Sequence, residues 1–231
     1  MKDLSEFEKK INIAFKNSKL LEQAFIHRSY INENRSIKRE HNERLEFLGD
    51  AVLELVITHY LYEKYPGKPE GELTAFRSAL VNAVTLSLIA TKLCVNDFLM
   101  LSKGEAKDLG RARSYILADT LEAIIGAIYL DQGYETAKQF IYTHVTILID
   151  DIVQKELWID AKSKFQEIAQ EKVGVTPSYR TTKEQGPDHD KFFTVGVYIG
   201  DEEVALGSGK SKQEAEQDAA RQALHDSKWK R

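Results

Sequence analysis

The sequence predicts two domains, an all-α N-terminal domain and a smaller α+β C-terminal domain of order α-β-β-β-α. Two observations predict this division. From residue 5 to about 153, apolar residues recur at helical spacing, and Gly and Pro separate the segments. After Glu156, three short segments show the alternation and the aromatic and β-branched content that are typical of strands. We place the first domain at residues 1–153 and the second at 160–228.

Helices fill the first domain. Apolar spacing predicts them at 7–15, 20–30, 42–65, 73–93, 97–101, 116–130 and 134–153. The longest stops before the sequence PGKP, because Pro and Gly both disfavour a continuing helix. Residues 103–114 have little apolar content and are predicted to form a loop.

The second domain is predicted because the spacing of apolar residues changes from that of helices to the alternation of strands. An amphipathic helix at 161–173 precedes strands at 178–183, 192–199 and 203–207, and a second helix follows at 211–227. The linker between the domains is short and contains no low-complexity sequence. The C-terminal domain is therefore a unit of two helices and three strands.

Carboxylates stand out in the segment HNERLEFLGDAVL, which is otherwise largely apolar. Glu43, Glu46, Asp50 and Glu54 recur at i, i+3, i+7 and i+11, so they share one helical stripe. A helix this apolar is predicted to be largely buried, where like charges repel strongly unless a cation compensates them. A hard divalent cation prefers oxygen ligands and would provide that compensation.

The segment ILADTLEAIIGAIYL repeats the pattern, with Asp119 and Glu122 at i and i+3 on one face. Gly49 and Gly126 lie within the two acid helices, where each glycine costs about 1 kcal/mol relative to alanine. Close approach of another helix or of a substrate backbone would offset that cost. We therefore predict that the two helices pack side by side and share one site.

A solvated helix face is the alternative to a metal site, since acids at helical spacing most often face water. Such a face would carry Lys, Gln or Ser beside the acids, whereas Asp119 and Glu122 have almost none. For Glu43 and Glu54 both interpretations stay open. Asn42 could equally be the N-cap of the helix, with Glu43 then favoured by the helix dipole.

Composition excludes several classes of protein. The 231 residues, 42% of them hydrophobic, fit one or two globular domains. A single cysteine, Cys94, rules out an internal disulfide and suits a reducing compartment. No apolar run reaches the ~18 residues that span a bilayer, and the polar N-terminus differs from a secretory signal, so we expect a cytoplasmic protein with no membrane partner. The net charge of −4 means that polyanion binding must come from local patches.

One such patch lies in GSGKSKQEAEQ, at the start of the last predicted helix. Ser211 and Glu214 have the spacing of a capping box, and Lys210 and Lys212 flank the exposed N–H groups of the first turn. Caps of this kind are common. The loop GPDHDKFF strengthens the prediction of an anion site, because it adds a histidine and a lysine between two predicted strands.

These segments resemble a known family. HNERLEFLGDAV closely resembles the signature of bacterial ribonuclease III, and the similarity continues through PEGELTAFRSALVN, LSKGE and LADTLEAIIGAIYLD. Residues from Asp160 to about Asp226 are similar to the double-stranded RNA-binding domain that follows in that family. The resemblance implies an all-α endonuclease domain followed by an α+β double-stranded RNA-binding domain.

The resemblance also implies an activity, a cofactor and partners. A homodimer would cleave double-stranded RNA with Mg²⁺, or with Mn²⁺ in its place, and leave 5′-phosphates and short 3′ overhangs. The RNA processed would include ribosomal RNA precursors and messenger RNA, and no small-molecule cofactor is expected. The apolar surface at 45–56 and 73–80 is where we expect the dimer contact.

Site residues follow from the resemblance one by one. The family's metal-site carboxylates fall on Glu46, Asp50, Asp119 and Glu122, of which Asp50 and Glu122 would position the attacking water. Glu43 and Glu70 match accessory acids near the dimer partner. The family's RNA contacts map onto Ser163, Gln166, Glu167, His189, Lys210, Ser211 and Lys212.

The chain departs from the family at Gln213, where a second lysine is usual after Lys212. Loss of one phosphate contact is expected to weaken RNA binding and to lower its salt slope by about one unit. Two other functions remain alternatives. A non-catalytic RNA-binding or ribosome-associated protein on this scaffold would tend to lose the acids, and a di-iron helical protein would need Glu-x-x-His repeats, whereas this chain has Glu-x-x-Glu and Asp-x-x-Glu.

Overall fold

The computed structural model describes residues 3–36, 38–107, 110–187 and 191–229. The chain divides into two compact units, Met1–Trp158 and Ile159–Arg231, and each has its own hydrophobic core. The first unit is helical, and the second combines a three-stranded antiparallel sheet with helices. The predicted fold class is confirmed.

Two long helices form the centre of the first unit. Its α-helices are α1 (Ser5–Ile11), α2 (Ser18–Ala24), α3 (Arg28–Glu33), α4 (Glu43–Lys64), α5 (Glu70–Val81), α6 (Ala83–Lys92), α7 (Lys103–Lys107), α8 (Arg111–Gln132), α9 (Tyr134–His144) and α10 (Ile149–Gln154). Helices α4 and α8 have 22 residues each and pack against one another, and α2, α6 and α9 also pack on α8.

Three of the predicted helices are divided in the structure. The segment 20–30 becomes α2 and α3, because Ile26 pairs as a parallel bridge with Met100, whose N–H donates to the Phe25 carbonyl at 2.9 Å. The segment 73–93 breaks at Asn82, whose Oδ1 accepts from the Thr85 N–H at 2.9 Å and so caps α6. The segment 134–153 breaks at Val145, and a 3-10 turn joins α9 to α10.

Two further segments correct the prediction. The loop expected at 103–114 contains α7 and the first turn of α8, and Arg113 ties them together because its Nη2 donates to the Glu105 carbonyl at 2.7 Å. The helix expected at 97–101 does not form in this described segment: a 3-10 turn, Val95–Asp97, ends at its first residue, and Met100 pairs with Ile26. No single helix among the described residues is long and apolar enough to cross a bilayer, and α5 with α6 meets that requirement only as a pair bent by 43°.

The second unit is a sheet covered on one face by two helices. Its elements are α11 (Ala161–Val173), β1 (Ser178–Gln185), β2 (Phe192–Ile199), β3 (Glu202–Gly209) and α12 (Lys212–His225), in the strand order β1-β2-β3. The core includes Phe165, Val197 and Trp229. Helix α12 lies directly on β3 because Gly207 has no side chain there, and a Cβ at that position would overlap the backbone of Ala219.

Candidate metal centre and nucleic-acid interface

Helices α4 and α8 approach closely because a glycine stands on each side of their contact. A Cβ added at Gly49 would overlap the backbone carbonyl oxygen of Glu122, and one added at Gly126 would overlap that of Leu45. Any larger residue would force the helices apart, since backbone atoms cannot move aside as a flexible side chain can. The predicted side-by-side packing of the two acid helices is confirmed.

This contact brings carboxylates from both helices together. Glu46, Asp119 and Glu122 each offer a carboxylate oxygen, and the three oxygens lie within 4.8 Å of one another. All three residues are partly buried. Asp50 is exposed one turn further along α4 and does not belong to this group of three, although its charge acts on Glu122. The structure thus assembles the four predicted acids as a cluster of three with Asp50 beside it.

The pKa values of these acids are raised. Burial, followed by repulsion from Asp50 and then from Asp119, raises the pKa of Glu122 to about 8. Burial followed by repulsion from Asp119 raises the pKa of Glu46 to about 7. Burial is also the main cause of the raised pKa values of Asp119 and Asp50. At neutral pH the cluster therefore retains protons that isolated carboxyl groups would have lost.

A cation from outside the protein would remove this repulsion. Among the described residues, no ion pair joins a Lys or Arg side chain to any of the four acids. Several carboxylate oxygens at short mutual distance are the ligand set that Mg²⁺ and Ca²⁺ prefer. The residues present therefore fit a hard divalent cation.

Glu43 lies at the start of α4, next to the cluster. It is exposed, its Oε1 is 3.5 Å from Arg28 Nη1, and its charge contributes to the raised pKa of Glu46. Asn42 is the N-cap residue of α4 by position, but its side chain caps no N–H of that helix. It is buried and donates from Nδ2 to the Ala24 carbonyl at 3.3 Å, so it ties α4 to α2.

Glu70 lies elsewhere, at the first residue of α5, and is not part of the cluster of three. Its carboxylate accepts a hydrogen bond from Thr74 Oγ1 at 3.0 Å. It lines an open cleft of about 450 Å³, whose other walls are Thr58, Leu61, Tyr62, Lys68, Leu73, Thr74 and Arg77. Arg77 Nη1 donates to Thr58 Oγ1 at 2.9 Å and so links α5 to α4 across this cleft.

An apolar stripe is exposed on α4, beside the acids. Phe47, Leu55 and Tyr62 are 81%, 59% and 73% exposed, and Ala51 and Thr58 lie exposed between them. Their spacing of i, i+4, i+8, i+11 and i+15 places them on one face, next to the stripe that carries Glu46 and Asp50. The sequence of α4 indicates such a face, because its apolar residues cover two sides of the helix and only one side can pack on the core of the same domain.

In the second unit, most of the predicted RNA-contact residues lie on exposed helix surfaces. Ser163, Gln166 and Glu167 line a shallow pocket of about 270 Å³ on α11. At the start of α12 the predicted N-cap is present, since Ser211 Oγ accepts from the Glu214 N–H at 3.1 Å. The Glu214 carboxylate reaches back one residue further than a capping box requires, because its Oε2 accepts from the Lys210 N–H at 2.9 Å. His189 lies outside the described residues.

Lys212, the first residue of α12, has a partner that the sequence analysis missed. Its Nζ lies 2.9 Å from Oε1 of Glu184 on β1, and this hydrogen bond is the largest cause of the lowered pKa of Glu184. The two residues are far apart in sequence and no spacing rule connects them. Only the pairing of the strands brings them together.

Comparison with known proteins supports both halves of this architecture. A family model described as Ribonuclease-III-like matches residues 17–148, and one described as Double-stranded RNA binding motif matches residues 161–227. A solved structure of the nuclease domain of ribonuclease III from Campylobacter jejuni has 40% sequence identity and a TM-score of 0.57, and covers 64% of this chain and 97% of that chain.

Relatives that match nearly the whole chain support the same family. Ribonuclease 3 of Enterococcus faecalis is 46% identical over 221 residues, which cover 95% of this chain and 95% of the relative. Ribonuclease 3 of Natranaerobius thermophilus is 48% identical over 219 residues, 95% of this chain and 94% of the relative. Because the similarity runs through both domains in the same order, the chain belongs to the ribonuclease III family and is an endoribonuclease that carries a double-stranded RNA-binding domain.

Proposed function

We propose that this endoribonuclease acts as a homodimer that cleaves double-stranded RNA with Mg²⁺ and leaves 5′-phosphates and short 3′ overhangs, in the maturation of ribosomal RNA precursors and in messenger RNA processing. Residues 1–153 form the catalytic domain and residues 160–228 the RNA-binding domain. The observation that carries the proposal is the convergence of Glu46, Asp119 and Glu122 within 4.8 Å on two helices whose contact requires glycine.

The catalytic residues have distinct tasks. Glu46, Asp119 and Glu122 would hold the cation, for which Mn²⁺ is a substitute, and no small-molecule cofactor is needed. When bound, the cation supplies charge stabilisation at the phosphate oxygens and lowers the pKa of a coordinated water. Asp50, exposed beside the cluster, offers a carboxylate that accepts a hydrogen bond from the attacking water and orients it. Glu122 would share this task, because a carboxylate has two oxygens and the one that does not hold the cation can accept a hydrogen bond from the water.

The homodimer is supported by the apolar stripe of α4. A side chain as exposed as Phe47, in line with Leu55 and Tyr62, is typical of an interface between protein chains. The cleft that contains Glu70 lies beside Tyr62 and offers a recess for an apolar side chain of a second copy. Dimer formation is named for the nuclease domain from Campylobacter jejuni. Two subunits that each cut one strand would produce staggered ends.

Recognition of RNA in this proposal is by shape. An RNA duplex presents a wide, shallow minor groove lined by 2′-hydroxyls, which polar side chains on one helix can contact without reading sequence. Ser163, Gln166 and Glu167 on α11 would contact one minor groove, and the loop that carries His189 the next. Lys210, Ser211 and Lys212 would bind phosphates at the positive end of α12.

Cleavage of a long RNA duplex, with and without Mg²⁺, tests the proposal when the product ends are analysed. Wild-type protein should give staggered ends with 5′-phosphates only when Mg²⁺ or Mn²⁺ is present. Glu122→Gln keeps the shape of the side chain but removes its charge, so cleavage should fall at least about 10³-fold while RNA binding is retained. Glu135→Gln, an exposed acid on α9, is the matched control and should cleave normally. Full cleavage by Glu122→Gln would overturn the assignment of the site.

A further inference from the structure

Lys212, at the start of α12, is paired with an acid of the same domain. Its ammonium lies 2.9 Å from Glu184 Oε1 and 5.6 Å from the centroid of the Phe193 ring. The lysine and glutamate side chains are 58% and 41% exposed, so the pair is reachable by a ligand. A lysine that already has a carboxylate partner is not equivalent to a free one as a phosphate ligand.

Strand register puts Glu184 there. Glu184 is paired with Phe193 on β2, and Phe193 with Gly209 on β3, so the three residues form one row across the sheet near the start of α12. In a strand, residues alternate between the two faces, and an extra residue reverses which ones face a given side. The register of β1 shifts between Thr181 and Lys183, and without that irregularity Lys183 would oppose Phe193 in place of Glu184.

We propose that Glu184 is an affinity-determining residue of the RNA-binding domain: it occupies Lys212, and a duplex can use that lysine only by competing with the glutamate. This inference rests on the proposed contact between Lys212 and an RNA phosphate. Two routes are open to the duplex, and both weaken binding. Either the ammonium leaves Glu184, or it contacts both groups and the carboxylate then stays beside a phosphate of like charge.

The expected effect is moderate, because the pair is exposed to water. In the full-length chain, Glu184→Gln should bind a duplex of about 16 base pairs, the length that one such domain spans, roughly threefold to fivefold more tightly at low salt. The gain should shrink as salt rises, since salt screens the exposed pair. Binding is measured in the presence of a chelator of divalent cations, so that the duplex stays intact.

The control is a second strand acid that is also paired with a lysine. Glu202 lies at the opposite end of β3, and its Oε1 is 3.3 Å from Lys228 Nζ. Glu202→Gln changes the net charge by the same amount and should leave the affinity unchanged. Thermal unfolding shows whether each variant is folded, and Glu184→Ala provides a second removal of the carboxylate should Gln disturb β1.

A double-mutant cycle with Lys212→Gln separates this inference from the proposed function. The gain from Glu184→Gln should disappear when Lys212 is already Gln. If Lys212→Gln weakens binding but Glu184→Gln has no effect, the phosphate contact stands and the role of Glu184 is overturned. An equal gain in both backgrounds, or from Glu202→Gln, would also overturn it, as a general effect of charge. If Lys212→Gln has no effect on binding either with Glu184 present or in the Glu184→Gln background, the proposed contact fails, and the inference with it.

Discussion

The acid cluster on α4 and α8 and the charged pairs of the RNA-binding unit have opposite electrostatics. On α4 and α8, Glu46 and Glu122 face other acids, and their pKa values are raised. In the RNA-binding unit, two acids are paired with donors and their pKa values are lowered: Glu184 with Lys212, and Asp160 first with the Gln217 amide and then with Ser163. The direction of the shift therefore distinguishes a surface that needs a cation from one whose charges are already balanced.

This contrast has a structural origin. The acid cluster forms because a glycine contact holds two helix backbones together, whatever the repulsion between the side chains they carry. The pairs of the second unit form between side chains of separate elements, such as Lys162 on α11 and Glu216 on α12 at 2.5 Å. Packing of the core holds the acids of the cluster together despite their repulsion, so a cation that binds them gains the free energy of relieving it. A lysine or glutamate that is already paired must first leave its partner before it can bind a ligand.

The largest effect is expected from a substitution at the glycine contact, because the acid cluster depends on the close approach of α4 and α8. Gly49→Ala places a methyl group on the Glu122 carbonyl, so α4 and α8 must separate, and we expect a loss of about 3 kcal/mol in the free energy of unfolding. Stabilisation by Mg²⁺ should be lost as well, because the acids no longer converge. Denaturant unfolding with and without Mg²⁺ measures both effects.

Gly71→Ala is the matched control for this change. Gly71 lies in α5 with no atom within 4 Å of an added Cβ, and alanine favours a helix, so this variant should gain up to about 1 kcal/mol. A Gly49→Ala protein as stable as the wild type would contradict the close contact of α4 and α8.

The pH dependence of divalent-cation binding tests the raised pKa values directly. Glu122 and Glu46, with pKa values of about 8 and 7, are largely protonated at pH 6, and a cation must displace those protons. Affinity should therefore fall as pH is lowered, by roughly 500-fold between pH 8 and pH 6 when both protons must leave. Titration calorimetry in buffers of different ionisation enthalpy should detect proton release. An affinity independent of pH would show that the acids are ionised throughout.

How far the site could be foreseen depends on which contacts are local in sequence. Four acids at helical spacing and two glycines in apolar helices were enough to predict which helices meet, since periodicity determines which face each residue occupies. Asp50 was expected as an equal member of the cluster, and the structure places it beside the other three. One turn of helix separates Glu46 from Asp50, so only the angle at which α8 crosses α4 decides which of them contacts Asp119.

Other features could not be predicted because their causes are distant in sequence. The break between α2 and α3 depends on backbone pairing of Ile26 with Met100. The segment around α7 has a polar composition that indicates a loop, yet Arg113 orders it by donating to the Glu105 carbonyl. The pairing of Glu184 with Lys212 depends on a register irregularity that leaves no mark in the alternation of β1.

Removing one acid from the cluster should stabilise the protein when no cation is present. A carboxyl group whose pKa is raised on folding stabilises the folded state below its unfolded pKa, and that contribution is lost as pH rises through about 8 for Glu122. At pH 9 in a chelator, Glu122→Gln should therefore melt about 2–4 °C above the wild type, with little difference at pH 4. Added Mg²⁺ should stabilise only the wild type, and a variant that melts lower at pH 9 would contradict the repulsion.

The smallest expected effect concerns Gln213, at the second residue of α12. Gln213→Lys adds an exposed cation at the helix N-terminus and should steepen the salt slope of RNA binding by about one unit. Gln222→Lys adds the same charge in the last part of α12 and is the control. If both variants gained affinity equally, RNA would be responding to net charge. A gain confined to Gln213→Lys would show that RNA phosphate binds at the start of α12.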